Sequence, residues 1–256
     1  MDRCSQSGSA GRDSANHDPI ERRGPANPYN QPVETLPKSV SFADLTIGQF
    51  VERLSSAEPV PGGGSASALA AALGAALVSM VAGLSVGRSK YSAYKATLAR
   101  ADVAGKQLAA EFLALSDRDA DAYAGYAVAL KLPRHSDAQS EARLEAIRAA
   151  ARVASDAPWD CVRACLRLAE VAESLAGRSN VNASSDVLVA ALLAEAGARG
   201  AAENVRINLP STGDEEYSEA MSQQLDETLH DISALTSRTR EIVLSGGPQE
   251  PEAEAE

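Results

Sequence analysis

The first group of residues with the types and spacing for chemistry is Pro59-Val60-Pro61-Gly62-Gly63-Gly64-Ser65. The prolines fix φ and hold the preceding residues out of the helical region, the glycines remove every Cβ that would keep a ligand off the backbone, and Ser65 has the side chain of an N-cap. Together they predict an exposed helix N-terminus whose free N–H groups accept a phosphate, a carboxylate or an electron-rich carbonyl. The same glycines equally serve to turn a corner and let two helices approach. A Walker loop needs a preceding strand and a Gly-Lys-Ser/Thr ending, and the dinucleotide fingerprint is G-x-G-x-x-G after a strand. Here the preceding segment reads as helix and no lysine follows, which disfavours a nucleotide.

A second group is acidic. Asp117, Asp119 and Asp121 precede Tyr123 and Tyr126, and helical spacing puts Asp119 and both tyrosines on one face and Asp117 and Asp121 on another. Such aspartates also serve as dipole partners in a first turn. A third group is the polar stretch between 177 and 186, which contains Asn180, Ser185 and Asp186 and opens an apolar helix. Its residue types are those that cap helices, but the surplus of amides is not explained by capping. Asn204 and Asn208 add two more on one face of a further helix, where unpaired amides are costly to bury. Arg88 and Lys90 lie just past a helix C-terminus, where cations complement the dipole. Cys161 and Cys165, one helical turn apart and unlike a CxxC pair, read as buried small hydrophobes, which fits a reducing cytoplasm.

The elements that hold these groups follow from composition. Of 256 residues, 45% are apolar and 4% aromatic, so the core is built from Ala, Leu and Val on closely spaced helices. The fold class is all-α: a multi-helix bundle around a central buried helix of small residues, over the uncharged run from 66 to 87. That run is long enough to span a bilayer, but Leu69, Leu73, Leu77, Met80 and Leu84 recur at helical spacing among Ala and Gly, which favours a core helix over a membrane span. Thr46 caps a short helix with Ile47, Phe50, Val51 and Leu54 on one face. Further helices are predicted over residues 91–115, through the aspartates to 132, from Ser136 to 155, from Pro158 to 176, over 187–196, around Asn204 and Asn208, and over 215–243. Residues 1–40 show no apolar period and read as a disordered tail, 41–244 as the helical domain and 245–256 as an acidic tail. The formal charge of −11, with no clustered Lys and Arg, argues against nucleic acid. No Cys/His cluster offers a metal site.

Taken in order, PVPGGGSASALAAALGAALVSMVAGLSVGRSKY, DRDADAY, KLPR, SNVNASSD and NVRINL resemble the cyclodeaminase/cyclohydrolase family. This family includes the cyclodeaminase half of formiminotransferase-cyclodeaminase and stand-alone methenyltetrahydrofolate cyclohydrolases. The likeness covers residues 45 to 215. It implies a helical homodimer that processes one-carbon units on tetrahydrofolate, with the folate as substrate and no tightly bound cofactor. Pro61, Gly62, Gly63, Gly64 and Ser65 match the family's P-G-G-G-S loop, implied to help form the folate pocket. Lys90 matches the lysine of its G-x-x-K pattern, and Asp119 and Tyr123 its D-A-x-A-aromatic segment. Asn180, Ser185 and Asp186 match the polar helix start, and Asn204 and Asn208 the N-V-x-I-N-L segment. Ser179 stands where the family often has Gly, and Arg88 where Lys is common.

The implied chemistry passes through tetrahedral carbon between two nitrogens. Cyclohydrolysis adds water to the methenyl bridge and opens the ring at N5, whereas cyclodeamination closes N10 onto the formimino carbon and expels ammonia. One carboxylate that carries protons, with a lysine or amides to orient the reactants, serves either. Asp119 or Asp186 is the expected shuttle. Lys90, Asn180, Asn204 and Asn208 are expected to orient the substrate, with Lys90 alternatively holding the folate glutamate. A chain of this length leaves no room for a transferase domain, which puts the cyclohydrolase ahead of the cyclodeaminase. A non-catalytic helical binding or assembly module is the alternative of another class.

Overall fold

The computed structural model describes residues 41–251. Six α-helices follow one another: α1 (Ile47–Leu54), α2 (Gly63–Ser85), α3 (Lys95–Leu130), α4 (Asp137–Leu175), α5 (Ser184–Asn208) and α6 (Glu215–Ser245). Short 3-10 turns at Phe42–Asp44, Ser89–Tyr94, Val181–Ala183 and Leu209–Thr212 join them, and the described residues contain no strand. The all-α bundle expected from the composition is therefore what the chain forms. The predicted tail over 1–40 lies outside the described residues, as does the end of the acidic tail.

Local chemistry sets three of the six helix starts. Thr46 makes a full capping box with Gln49, Ser136 Oγ accepts from the Gln139 N–H, and the Asp214 carboxylate accepts from the Tyr217 N–H. Helix α2 departs from expectation. Its N-cap is Gly62, with no side-chain cap, and Ser65 lies inside the first turn.

Helix α2 packs between α3 and α5 and also touches α4. Close packing requires small residues at the crossings. A Cβ on Gly105 of α3 would stand 2.8 Å from both the Ala75 carbonyl oxygen and the Ser79 nitrogen, and one on Gly197 of α5 would stand 2.9 Å from the Ser67 carbonyl oxygen. The inward side of α2, with Ala71, Ala75, Val78, Val81 and Ala82, is fully buried. Its other side is a stripe without charge on which Leu73, Met80 and Leu84 are 54%, 42% and 43% exposed. The central helix is thus buried on one side of a single chain. In α1, of the four residues predicted to share a buried face, only Phe50 is buried, packing edge-on against Phe42, while Ile47 and Val51 stand in solvent. The Asp117 carboxylate holds this N-terminal segment by accepting from the Phe42 N–H at 2.8 Å and from the Ser41 hydroxyl.

The chain has fewer and longer helices than predicted. Ser116 and Asp117 have the types that end helices, but α3 runs through them, because Ser116 Oγ bonds the Ser65 carbonyl instead of capping a new helix. Pro158 is inside α4, not at the first turn of another helix. Proline has no N–H for the carbonyl four residues back, that of Ala154. The Asn208 side chain supplies the missing donor, its Nδ2 lying 2.8 Å from Ala154 O, so the helix continues past the proline. At the other end, Gly246 closes α6 in the left-handed region. Residues 247–250 then run along the Gly177 turn: the Gln249 N–H donates to Gly177 O, Tyr94 Oη to Gln249 O and Arg178 Nε to Glu250 O.

The Gly105 crossing makes a direct prediction. Gly105→Val drives α2 and α3 apart and lowers stability by about 1–3 kcal/mol, whereas Gly125→Ala, on the same helix with nothing within 4 Å, raises it by about 0.5–1 kcal/mol. Denaturant unfolding followed by circular dichroism measures both.

Candidate active site

A cavity of about 410 Å³ opens at the N-terminus of α2. Its walls are Pro59, Val60 and the three glycines on one side, and Asp119, Ala120, Tyr123 and Tyr126 of α3 on another. Ala154 of α4 and Asn204, Ile207 and Asn208 of α5 complete it. The glycine loop, the DRDADAY aspartate and both C-terminal amides of the predicted site are thus brought together. Pro61 is buried behind the loop.

The helix N-terminus was expected to receive an anion, and the anion beside it is the protein's own. Asp119 sits against Gly64 so closely that a Cβ there would be 2.2 Å from Oδ1. Asp119 Oδ2 accepts from Ser65 Oγ at 3.0 Å, and the Ser65 N–H also favours the charged form. Ser65 is fully buried and does not line the cavity. Its hydroxyl lies 3.2 Å from the Ser116 carbonyl as well. Burial pushes the Asp119 carboxyl above its ordinary range, and the Ser65 hydroxyl and backbone N–H partly offset this. Asp119 is the single charged residue in the cavity wall.

The amides have a directional role. Asn204 Nδ2 donates to Gly200 O, and Asn208 Nδ2 donates to both Ala154 O and Asn204 O. Both NH₂ groups are thereby engaged with backbone, and their side-chain oxygens remain as acceptors for N–H donors of a ligand. Tyr123 is half exposed at the mouth, and Tyr126 Oη bonds Ser211 Oγ at 3.0 Å. Val60, Ala120 and Ile207 lay within the motifs, whereas Ala154 escaped the sequence reading because an apolar wall has no residue type of its own. Tyr126 was legible from its shared face with Asp119.

The remaining predicted residues lie elsewhere in the chain. Asn180 is nearly buried beside the last residue of α2: its N–H donates to Ser85 Oγ at 2.8 Å, and its side chain accepts from the Asn182 N–H. Asn180 therefore builds the turn that it occupies. Lys90 lies over the Tyr91 ring, 5.5 Å from its centroid, and lines a second cavity of about 280 Å³ with Ser179, Val181 and the 246–248 segment. Ser185 is exposed and Asp186 partly buried in the first turn of α5. Because α2 has 23 residues, this group stands about 34 Å from the glycine loop along the helix axis. One chain therefore presents the predicted site in two halves, one at each end of α2.

The family model for formiminotransferase-cyclodeaminase matches residues 46–227. The chain belongs to this family. Methenyltetrahydrofolate cyclohydrolase of Methylorubrum extorquens is 36% identical over 200 residues, which are 78% of this chain and 96% of that protein. Formimidoyltransferase-cyclodeaminase of Rattus norvegicus is 32% identical over 225 residues, 86% of this chain but 40% of the rat protein. Among solved structures, the formiminotetrahydrofolate cyclodeaminase of Thermotoga maritima superposes with a TM-score of 0.72 at 26% identity, covering 79% of this chain and 98% of that one. The family read from the motifs is the one found, and the match extends past residue 215 into α6.

The environment of Asp119 has a measurable consequence for stability. The folded carboxyl holds its proton to higher pH than the unfolded one, whose pKa is about 3.9. Its linkage contribution is therefore fully present below the unfolded pKa and is lost as pH rises through the folded value. Asp119→Asn removes the buried charge, so the variant is expected to be more stable than wild type at pH 8, with the difference shrinking towards pH 4. Urea unfolding at the two pH values reads this out, and equal differences at both would contradict the burial of a charge.

Proposed function

We propose that this chain is a methenyltetrahydrofolate cyclohydrolase, with the Asp119 cavity as its reaction site. The observation that carries this is a lone carboxylate in a cation-free wall, facing a cavity rimmed by amide acceptors. The methenyl bridge of the substrate is an amidinium, N5–C–N10, with delocalised positive charge, and Asp119 is its electrostatic complement. The carboxylate takes a proton from water as the water oxygen bonds to the bridge carbon, giving tetrahedral carbon between the two nitrogens. The shuttle then delivers a proton to N5 as the C–N5 bond breaks, and the hydroxyl proton departs as the N10-formyl C=O forms. One water is consumed and one proton released. The oxygens of Asn204 and Asn208 accept from pterin N–H groups and hold the bridge over Asp119. The near-complete coverage of the Methylorubrum enzyme supports this reading. The likeness to the Thermotoga cyclodeaminase supports a second, in which the same carboxylate takes the N10 proton as N10 bonds to the carbon of the protonated formimino group and hands it to the amine, which leaves as ammonia.

Absorbance separates the two. Loss of the 5,10-methenyltetrahydrofolate chromophore faster than in buffer identifies the cyclohydrolase, and appearance of that chromophore from 5-formiminotetrahydrofolate identifies the cyclodeaminase. Asp119→Asn is expected to slow the active reaction by at least about 10²-fold. No turnover of either folate by wild type would leave the binding-module reading.

The proposed enzyme is a homodimer joined through the exposed side of α2. Leu73, Leu77, Met80 and Leu84 repeat at the 4-3-4 spacing of a helix–helix seam, between small residues that let a second helix approach. Pairing two copies with antiparallel α2 helices brings the Asp119 cavity of one towards Lys90 of the partner subunit, which reunites the two halves of the site. Two results are expected. Leu73→Glu with Met80→Glu, both exposed in the single chain, yields monomers by light scattering. Asp119→Asn and Lys90→Met chains, each inactive alone, regain activity when mixed and refolded, because one cavity in a mixed dimer is intact.

A further inference from the structure

Ser65 is the residue whose position differs most in meaning from its sequence reading. It belongs to the glycine loop, yet its side chain is fully buried, does not line the cavity, and hydrogen-bonds to α3. Its one hydroxyl hydrogen has two acceptors in reach: Asp119 Oδ2 at 3.0 Å and the Ser116 carbonyl at 3.2 Å. Ser116 returns a bond from its own hydroxyl to the Ser65 carbonyl at 3.3 Å, so Ser65 is fixed to α3 from both sides of its backbone and cannot drift from the carboxylate. A hydroxyl also accepts.

We infer that Ser65 is a rotating partner that keeps Asp119 hydrogen-bonded and in place in both of its protonation states. With Asp119 ionised, the Ser65 hydrogen points at Oδ2. When Asp119 gains a proton on Oδ2, that new O–H donates to Ser65 Oγ, and the Ser65 hydrogen turns to the Ser116 carbonyl. The proton count is conserved: one is gained by the carboxylate, and the serine keeps its own. Neither state leaves a buried polar group unpaired, so the carboxyl changes charge without moving off Gly64. Ser65 is thus a positioning residue that acts through Asp119. The other titratable side chains in the cavity wall are Tyr123 and Tyr126 of α3, while α2, α4 and α5 present none there. Arg118, next in sequence, is paired with Asp160 at 3.0 Å.

The inference rests on Asp119 as the proton carrier, and the test separates the two. The whole chain, labelled with ¹³C at the aspartate carboxyl carbons, is titrated by NMR, with the Asp119 signal assigned by its loss in Asp119→Asn. Turnover of 5,10-methenyltetrahydrofolate is followed in parallel across the same pH range. In Ser65→Ala both bonds are lost, and the Asp119 titration moves to higher pH because the bond to the ionised carboxylate is the stronger of the two. The acid limb of kcat/KM is expected to move with it, kcat to fall about tenfold, and KM to stay within about twofold of wild type. Ser65→Thr, which keeps the hydroxyl, restores the titration and the limb. Ser65→Cys keeps the volume with a weak donor and acceptor, and reports the same shift should the alanine variant fold poorly. An Asp119 titration unchanged in Ser65→Ala and Ser65→Cys overturns the inference, as does a raised KM with an unmoved limb. A shifted titration in a protein that turns over neither folate upholds the Ser65–Asp119 coupling and overturns the proposed reaction instead.

Discussion

The structure depends on one close approach, that of the Asp119 carboxylate to the first turn of α2 across Gly64. It sets the relation between α2 and α3 at the end where the cavity opens, because the Ser65–Ser116 bonds form only when the two backbones are this close. It also makes a buried charge tolerable. Burial alone favours the neutral acid, but the helix N-terminus and the Ser65 donors favour the anion. The balance leaves the carboxyl above its ordinary range, with burial outweighing the Ser65 donors. Any side chain on Gly64 would occupy the place of the carboxylate.

A second constraint comes from the alanine-rich core. Small side chains bury little area each, so the helices gain by lying close together and by running long, and α3 and α4 reach 36 and 39 residues. Close helices leave little space for irregular backbone. Pro158 illustrates how such a bundle deals with a local fault: Asn208, at the end of the next helix, bonds the carbonyl that proline leaves open. The same amide stands in the cavity wall, so the repair of α4 and the acceptor face of the site are one side chain with its two ends used differently.

Much of this was readable before any coordinates. The glycine loop, the Thr46 and Ser136 caps and the apolar period of α2 each rest on local chemistry, and each was visible in the string. The face shared by Asp119, Tyr123 and Tyr126 follows from helical spacing alone. What could not be read was tertiary. Ser65 has the residue type of an N-cap, and only the arrival of α3 turns it into a partner for Asp119. Pro158 is a sound reason to end a helix until an amide from α5 is brought to it. The motif residues Lys90, Asn180, Ser185 and Asp186 read as one site with the glycine loop because spacing along a sequence says nothing of which end of a 23-residue helix they will reach. Ile47, Val51 and Leu54 of α1 had the right period and remain exposed among the described residues.

The absence of Lys and Arg from the wall around Asp119 bears on how a catalytic cycle ends. On the proposed reaction the bound bridge is positively charged on arrival, whereas the formyl group left after water addition is neutral. The attraction of the carboxylate for its ligand is therefore strongest before chemistry and largely disappears with it. Within one chain no cation of the wall offsets Asp119, and in the proposed dimer Lys90 of the partner subunit comes to the cavity from outside that wall. As the cavity is built, the change of charge that accompanies turnover is itself the signal for product to depart.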